Sequence, residues 1–263
     1  MKRMYAAGVA LLWAGIMLGA ATAPTTAPTT GPRMGLDGRA ADTRPIMEPY
    51  TFTGDWMTRH NGFVTRAKQG DIDLVLLGDS ITDGWNNTGR AVWQKEFPGW
   101  KMANFGIGGD TCQAVLYRIT NGEFDGYKAK AIMVMLGTNN TRSYTGEEIG
   151  EAMTKIVGIL KEKQPQAKIL LLAIFPRGTG ADDPYRKKVD VANKVLAKLD
   201  GGNVKFLDIS DKFLDKSGKL IGFGGDNLHP NAQGYQIWAD GMKAQLTEWL
   251  GPPTATASAP AGR

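Results

Sequence analysis

Ser80, Asp226 and His229 are of the types from which a covalent ester-cleaving centre is assembled. A serine hydroxyl attacks a carbonyl only when a neighbouring base takes its proton, and imidazole is the usual base. A carboxylate on the other ring nitrogen orients that imidazole and stabilises its cation. Asp226-Asn-Leu-His229 places carboxylate and imidazole three residues apart, ahead of a helix-like stretch. The carbonyl oxygen that becomes negative needs N–H donors aimed at it. Two segments offer them: Asn104-Phe-Gly-Ile-Gly-Gly109-Asp-Thr and Gly137-Thr-Asn139. The amides of Ser80 and Gly109, with the Asn139 side chain, are the candidate oxyanion donors. At Gly109 no side chain obstructs the approach to the amide. Loss of one such donor lowers rates on the order of 100-fold or more.

Each piece also has a plain structural reading. Gly78-Asp79-Ser80 is turn chemistry when taken alone. Gly106-Ile-Gly-Gly can simply let the backbone turn, and its spacing is neither a dinucleotide fingerprint nor a phosphate loop. Asn139 alone reads as a turn residue, and His229-Pro230 as a helix entry with Asp226 a surface charge. His60 reads as structural or solvated. Asp73, Asp79 and Asp83 do not follow the calcium-loop pattern, and one Cys with two His leaves no zinc-type spacing. No metal is expected.

The order of elements supplies what the isolated motifs lack. Residues 73–78, 131–136 and 168–174 are short apolar runs that stop at Gly, Gly and Pro-Arg-Gly. Runs apolar on both faces are strands of a covered parallel sheet. Shorter strands are predicted at 101–104 and 204–208. Helices are predicted at 56–68, 91–97, 110–119, 145–163, 185–199 and 232–250. Thr145 with Glu148 forms a capping-box pattern, and Asn231 is a good N-cap. Strictly alternating strands and helices imply an α/β fold with a parallel sheet between helical layers. Ser80, Asn139, Arg177 and the loop before the last helix then lie along the carboxyl edge, where such sheets bind ligands.

The 263 residues carry a formal charge of +5, part of it at Lys2, Arg3 and Arg263. No basic stripe interleaved with aromatics is present, so a nucleic-acid partner is not expected. Residues 1–23 have the layout of a secretory signal peptide: a basic start, an apolar run over 6–20, then small residues. That run is short of the roughly 20 residues of a membrane span, and no Cys follows for a lipid anchor. Export without a lasting membrane anchor is the expectation. Residues 24–45 read as a Pro/Thr-rich linker, 46–250 as one domain and 251–263 as a disordered tail. Cys112 is the only cysteine, so the domain relies on its core, and a single buried thiol is its plain reading.

Gly78-Asp-Ser80-Ile-Thr, Asn104-x-Gly-x-Gly-Gly109-Asp-Thr, Gly137-Thr-Asn139 and Asp226-x-x-His229-Pro follow one another as do the sequence blocks of the GDSL or SGNH hydrolase superfamily. The middle of the chain is especially similar to the catalytic subunits of intracellular platelet-activating-factor acetylhydrolases, over about residues 70–245. The shared stretches include Val115-Leu-Tyr-Arg, Asn121-Gly-Glu, Gly-Thr-Asn-Asn and Gln164-Pro-Gln-Ala-Lys-Ile. The resemblance implies a three-layer, flavodoxin-like fold and serine esterase chemistry without a cofactor. By position it implies Ser80 as nucleophile, His229 as base, Asp226 as its orienter, and Ser80, Gly109 and Asn139 as oxyanion donors. Asn140 stands where many members of the superfamily carry Asp, as it does in the acetylhydrolase-like subgroup. The expected substrate is a small acyl ester, acetyl above all, of a carbohydrate or other small molecule. Lysophospholipase or acyltransferase chemistry with the same residues is the alternative within enzymes, and a non-catalytic binding module the alternative outside them. Asp79, Trp85 and Arg177 are further candidates for contact with substrate. Trp85 and Tyr144 are expected as exposed rings for stacking on a sugar, and Arg177 either as a ligand for an acidic or hydroxylated group or in a structural ion pair. Oligomeric state is left open.

Overall fold

The structure is a computed structural model and describes residues 35–254. The signal-peptide reading of 1–23, the first part of the linker and the end of the tail lie outside the described residues. Five parallel strands form one sheet: β1 (Leu74–Gly78), β2 (Met102–Gly106), β3 (Ala131–Met135), β4 (Lys168–Leu172) and β5 (Val204–Leu207), in the order β2-β1-β3-β4-β5. This is the flavodoxin-type order, whose switch point falls where the chain leaves β1 for the edge and returns to β3. Every residue of β1 and β3 is buried, which is why their sequences are continuously apolar and do not alternate.

The helices are α1 (Asp55–Lys68), α2 (Ser80–Asp83), α3 (Arg90–Glu96), α4 (Cys112–Thr120), α5 (Gly146–Lys163), α6 (Pro184–Leu196) and α7 (Ala232–Leu250). Odd and even strand positions face opposite layers. Val75, Leu77, Ile132, Val134, Ile169 and Leu171 pack with residues of α4, α5 and α6 in one core. Leu74, Leu76, Met133, Met135, Leu170 and Leu172 pack with α7 and with Trp85, Trp93 and Phe97 in the other. The three-layer α/β expectation holds.

The local signals behave as their chemistry dictates. Thr145 and Glu148 form the reciprocal capping box at the start of α5. The Asn231 side chain accepts from Gly234 N and starts α7. Several elements differ from the sequence reading in ways that bear on the site. α4 begins at Cys112 because Thr111 is its cap, not part of it. The segment after α6 tightens into a 3₁₀ turn at Ala197–Leu199. The single-turn α2 was not anticipated. β2 runs on to Gly106, which pairs with Gly78 in register, so Gly106 is a strand residue and not a turn glycine. A Cβ there would collide with the Asp83 backbone.

Gly78 closes β1 where neighbouring elements approach closely. A Cβ at this position would overlap the Thr82 hydroxyl and the Met135 carbonyl oxygen. Overpacking against backbone costs about 1–3 kcal/mol, so Gly78→Ala should lower the urea midpoint accordingly. An unchanged midpoint would show that the β1–β3 edge relaxes freely.

Candidate active site

Ser80 is the first residue of α2, directly after β1. The buried Asp79 side chain caps that turn by accepting from Ile81 N at 2.9 Å. The Ser80 hydroxyl thus stands at the carboxyl edge of the sheet. Two contacts fix the turn from other elements. Tyr235 of α7 donates its buried hydroxyl to Ile81 O at 2.7 Å, and Asn104 donates to Thr82 O at 2.9 Å.

His229 and Asp226 come from the loop that enters α7. Asp226 Oδ1 accepts from the amides of Leu228 and His229 at 3.1 and 3.0 Å, a side-chain turn that folds the loop back on itself. Gly224 N donates to His229 O at 2.8 Å, and Gly178 N, beyond β4, donates to Asn227 O at 3.0 Å. With the loop held this way, His229 Nδ1 lies 2.6 Å from Asp226 Oδ2 and His229 Nε2 lies 2.8 Å from Ser80 Oγ. Burial pushes the Asp226 carboxyl up, but the hydrogen bonds from the His229 ring and from the two amides outweigh it. The net effect holds Asp226 below the usual carboxylate range. An ionised Asp226 keeps a proton on Nδ1 and leaves Nε2 as the acceptor for Ser80.

The two segments that sequence reading offers as oxyanion donors are the β2–α4 loop and the 3₁₀ turn Thr138–Arg142 after β3. Ile107 N donates to Gly78 O at 3.3 Å, and a Cβ at Gly108 would stand 4.0 Å from Ser80 Cβ, so the two loops are neighbours. Gly109 has φ +80, a conformation that suits glycine, and a Cβ there would meet nothing within 4 Å. Asn139 Nδ2 donates to Asp110 O at 2.8 Å, which ties Asn139 to the residue after Gly109. One N–H of that amide group is engaged by this bond, and the second remains to be directed at a substrate oxygen.

A fully buried charge network stands behind the Gly109 loop. Arg118 of α4 pairs with Asp110 Oδ2 and with Glu123 Oε2, each at 2.7 Å. It also donates to Phe105 O at 2.9 Å and Gly78 O at 3.3 Å. His60 Nδ1 meets Glu123 Oε1 at 2.8 Å, and Trp56 Nε1 donates to Asp110 Oδ1 at 2.6 Å. His60 is therefore structural. The network could not be assembled from sequence, although one signal existed: Arg118 lies within the apolar α4 stripe of Val115, Leu116 and Ile119, where a charge needs a buried partner.

Three of the further candidates need correction. Trp85 is 1% exposed and packs against Trp93, Tyr235 and Trp238. It is a core residue, because the turn after α2 folds it under α7. Tyr144 is 4% exposed and hydrogen-bonded at its hydroxyl, so neither ring offers a platform. Asp79 is fully buried and cannot touch substrate. Its burial raises its pKa to about 7, with Asp110 adding to the rise and the Ile81 amide and the charges of His229 and Arg177 opposing it. Arg177 is half-buried. Its Nη1 donates to Thr138 O and Oγ1 and to Thr141 Oγ1 at 2.9, 3.1 and 3.2 Å. It braces the turn that carries Asn139 through neutral acceptors and not through the ion pair considered as its structural role.

A hydroxyl, imidazole and carboxylate in series at the carboxyl edge of a flavodoxin-type sheet define a serine-hydrolase type of site. Residues 76–237 match the model of the GDSL-like Lipase/Acylhydrolase family. The chain belongs to this family. It is 37% identical over 188 residues to the platelet-activating factor acetylhydrolase IB subunit alpha2 of Rattus norvegicus, covering 68% of this chain and 80% of the relative. The human alpha1 subunit is 33% identical over 185 residues, covering 69% and 78%. Among solved structures, a putative acylhydrolase from Bacteroides fragilis superposes with TM-score 0.59 at 20% identity, over 74% of this chain and 99% of that one. An acetylxylan esterase from Geobacillus stearothermophilus superposes with TM-score 0.52 at 20% identity, over 70% and 96%. These two likenesses concern the fold.

Two predictions follow from the buried charges. Arg118→Met would leave Asp110 and Glu123 without their cation, and breaking a buried pair in this way costs about 3–5 kcal/mol. Urea unfolding should register that loss, and a change below about 1 kcal/mol would refute it. Asp79 has a folded pKa above its unfolded value of roughly 3.9, so it takes up a proton on folding. Its contribution to stability is then present at low pH and lost as pH rises towards about 7. Asp79→Asn should gain stability relative to the parent progressively from about pH 4 to about pH 7 and keep that gain above it. Parallel stability curves for the two proteins would contradict this.

Proposed function

We propose that this family member is an exported serine esterase that removes small acyl groups, acetyl above all, from a carbohydrate. The observation that carries the chemistry is the unbroken series Ser80 Oγ, His229 Nε2, His229 Nδ1 and Asp226 Oδ2, with contacts of 2.8 and 2.6 Å. In the first half-reaction His229 takes the Ser80 proton as Oγ bonds to the ester carbonyl carbon. The carbonyl oxygen becomes negative and is held by the amides of Ser80 and Gly109 and by Asn139 Nδ2. Collapse expels the alcohol, which receives the proton from His229, and leaves Ser80 acylated. Water then attacks the acyl-enzyme with His229 as base, and the acid leaves as Ser80 recovers its proton.

The acetyl preference is supported by relatives at 37% identity that are named as acetylhydrolases. The carbohydrate is supported by the fold's likeness to an acetylxylan esterase and by the leader-like residues 1–23, which also support export. The names of the relatives favour one second reading, an acetyl ester of a phospholipid, served by the same residues. Ser80→Ala should abolish turnover of p-nitrophenyl acetate while leaving the unfolding midpoint near that of the parent. The parent should turn over acetyl esters faster than palmitoyl esters. No turnover by the parent would defeat the esterase reading, and a palmitoyl preference would defeat the small-acyl one.

A further inference from the structure

Beside the oxyanion donors lies a cavity of about 450 Å³, lined on one side by Gly109, Thr111 and Asn139. It is also lined by Ala40, Ala41, Asp42 and Arg44, part of a strap that precedes the stretch matched by the family. The strap is fastened to the donor platform. Asp42 N donates to Ser143 Oγ at 2.9 Å, and the Tyr144 hydroxyl donates to Arg44 O at 2.8 Å. Gln113 Nε2 donates to that hydroxyl at 2.7 Å, and Asn140 Nδ2 donates to Gln113 Oε1 at 2.9 Å. Asn140 Oδ1 in turn accepts from Cys112 N at 2.8 Å. The chain of bonds therefore runs from the strap to the residue next to Asn139.

We propose that this cavity is the subsite for the alcohol half of the ester, and that the strap selects neutral, polyhydroxylated alcohols over phosphate-bearing ones. The inference rests on the acetyl-esterase reading above. An acetyl group fills little of a space within the range that holds whole small-molecule ligands, so the larger partner of the ester belongs there. The lining is too polar for a long acyl chain: Asp42, Arg44, Arg142, Ser143 and Thr111 face it, with Phe52 as its large apolar member. Both guanidinium groups already have carboxylate partners. Arg44 is paired with Asp42 through two contacts, and Arg142 Nε lies 2.9 Å from Asp37 Oδ2. A phosphate is best held by a guanidinium that can turn its fork to it. Paired groups instead present donors and acceptors side by side, which suits a ring of hydroxyls that both donate and accept.

The test is a comparison of parent and the Asp42→Asn, Arg44→Gln double variant on three acetyl esters: an acetylated xylo-oligosaccharide, p-nitrophenyl acetate and an acetyl-glycerophosphocholine. For the saccharide, KM should rise roughly tenfold or more, the size of a lost hydrogen bond to a charged group, with kcat changed far less. The saccharide-to-p-nitrophenyl selectivity should fall by the same factor. Equal losses on all three esters, or no change in selectivity, would overturn the proposal. So would a parent that prefers the phospholipid ester. Failure of the esterase reading shows separately, as absence of p-nitrophenyl acetate turnover by the parent. In that case calorimetric titration of the saccharide into Ser80→Ala still reads the subsite. Binding that weakens about tenfold on adding the double substitution is expected, and absence of binding overturns it.

Discussion

The guanidinium of Arg118 joins the parts of the molecule that have to be in register for chemistry. It donates to carbonyls at the ends of β1 and β2 and pairs with Asp110, the residue after Gly109. β1 ends at the nucleophile's turn and β2 at the donor loop, so one buried cation sets the distance between them. Burying a charge this deeply is unfavourable unless every partner is in place. Glu123, His60 and Trp56 complete the set, which also anchors α1 against the loop. We read this network as a geometric constraint more than as a source of stability, since a well-packed apolar cluster would serve stability as well.

The acid–base side of the site is built differently. His229 and Asp226 are half-exposed and stand on a loop ordered by backbone bonds within itself and to the β4 end. Their position relative to Ser80 depends on Tyr235, which connects α7 to the α2 turn. The site thus combines a donor half braced from behind by a buried charge network with a proton-transfer half ordered by backbone bonds.

Asp79 and Trp85 show how one short segment can mislead. Both sit within six residues of Ser80, and both have side chains that commonly touch ligands. α2 is a single turn, however, and its rotation directs Ser80 outward while Asp79 and Trp85 go inward. Neither the helical turn nor its rotation is written in Asp-Ser-Ile-Thr-Asp. They follow from the close approach to Thr82 and Met135 that only a glycine at position 78 permits, and from the Tyr235 bond that α7 makes to Ile81.

The sequence by itself determined the strands, the helix caps at Thr145 and Asn231, the sheet edge at which chemistry is placed, and the choice of Ser80, Asp226 and His229, which the fold brings into hydrogen-bonding series. These are legible because apolar runs, capping side chains and turn residues act over a few positions, and because parallel strands send their carboxyl ends to one edge. Tertiary structure alone decided the partners of Arg118, the burial of Trp85 and Tyr144, and the bracing role of Arg177. It alone brought the strap at 40–44 to the donor platform, where Tyr144 meets Arg44 across 100 positions of sequence. Such contacts depend on where distant segments meet after packing, and no local preference encodes that meeting.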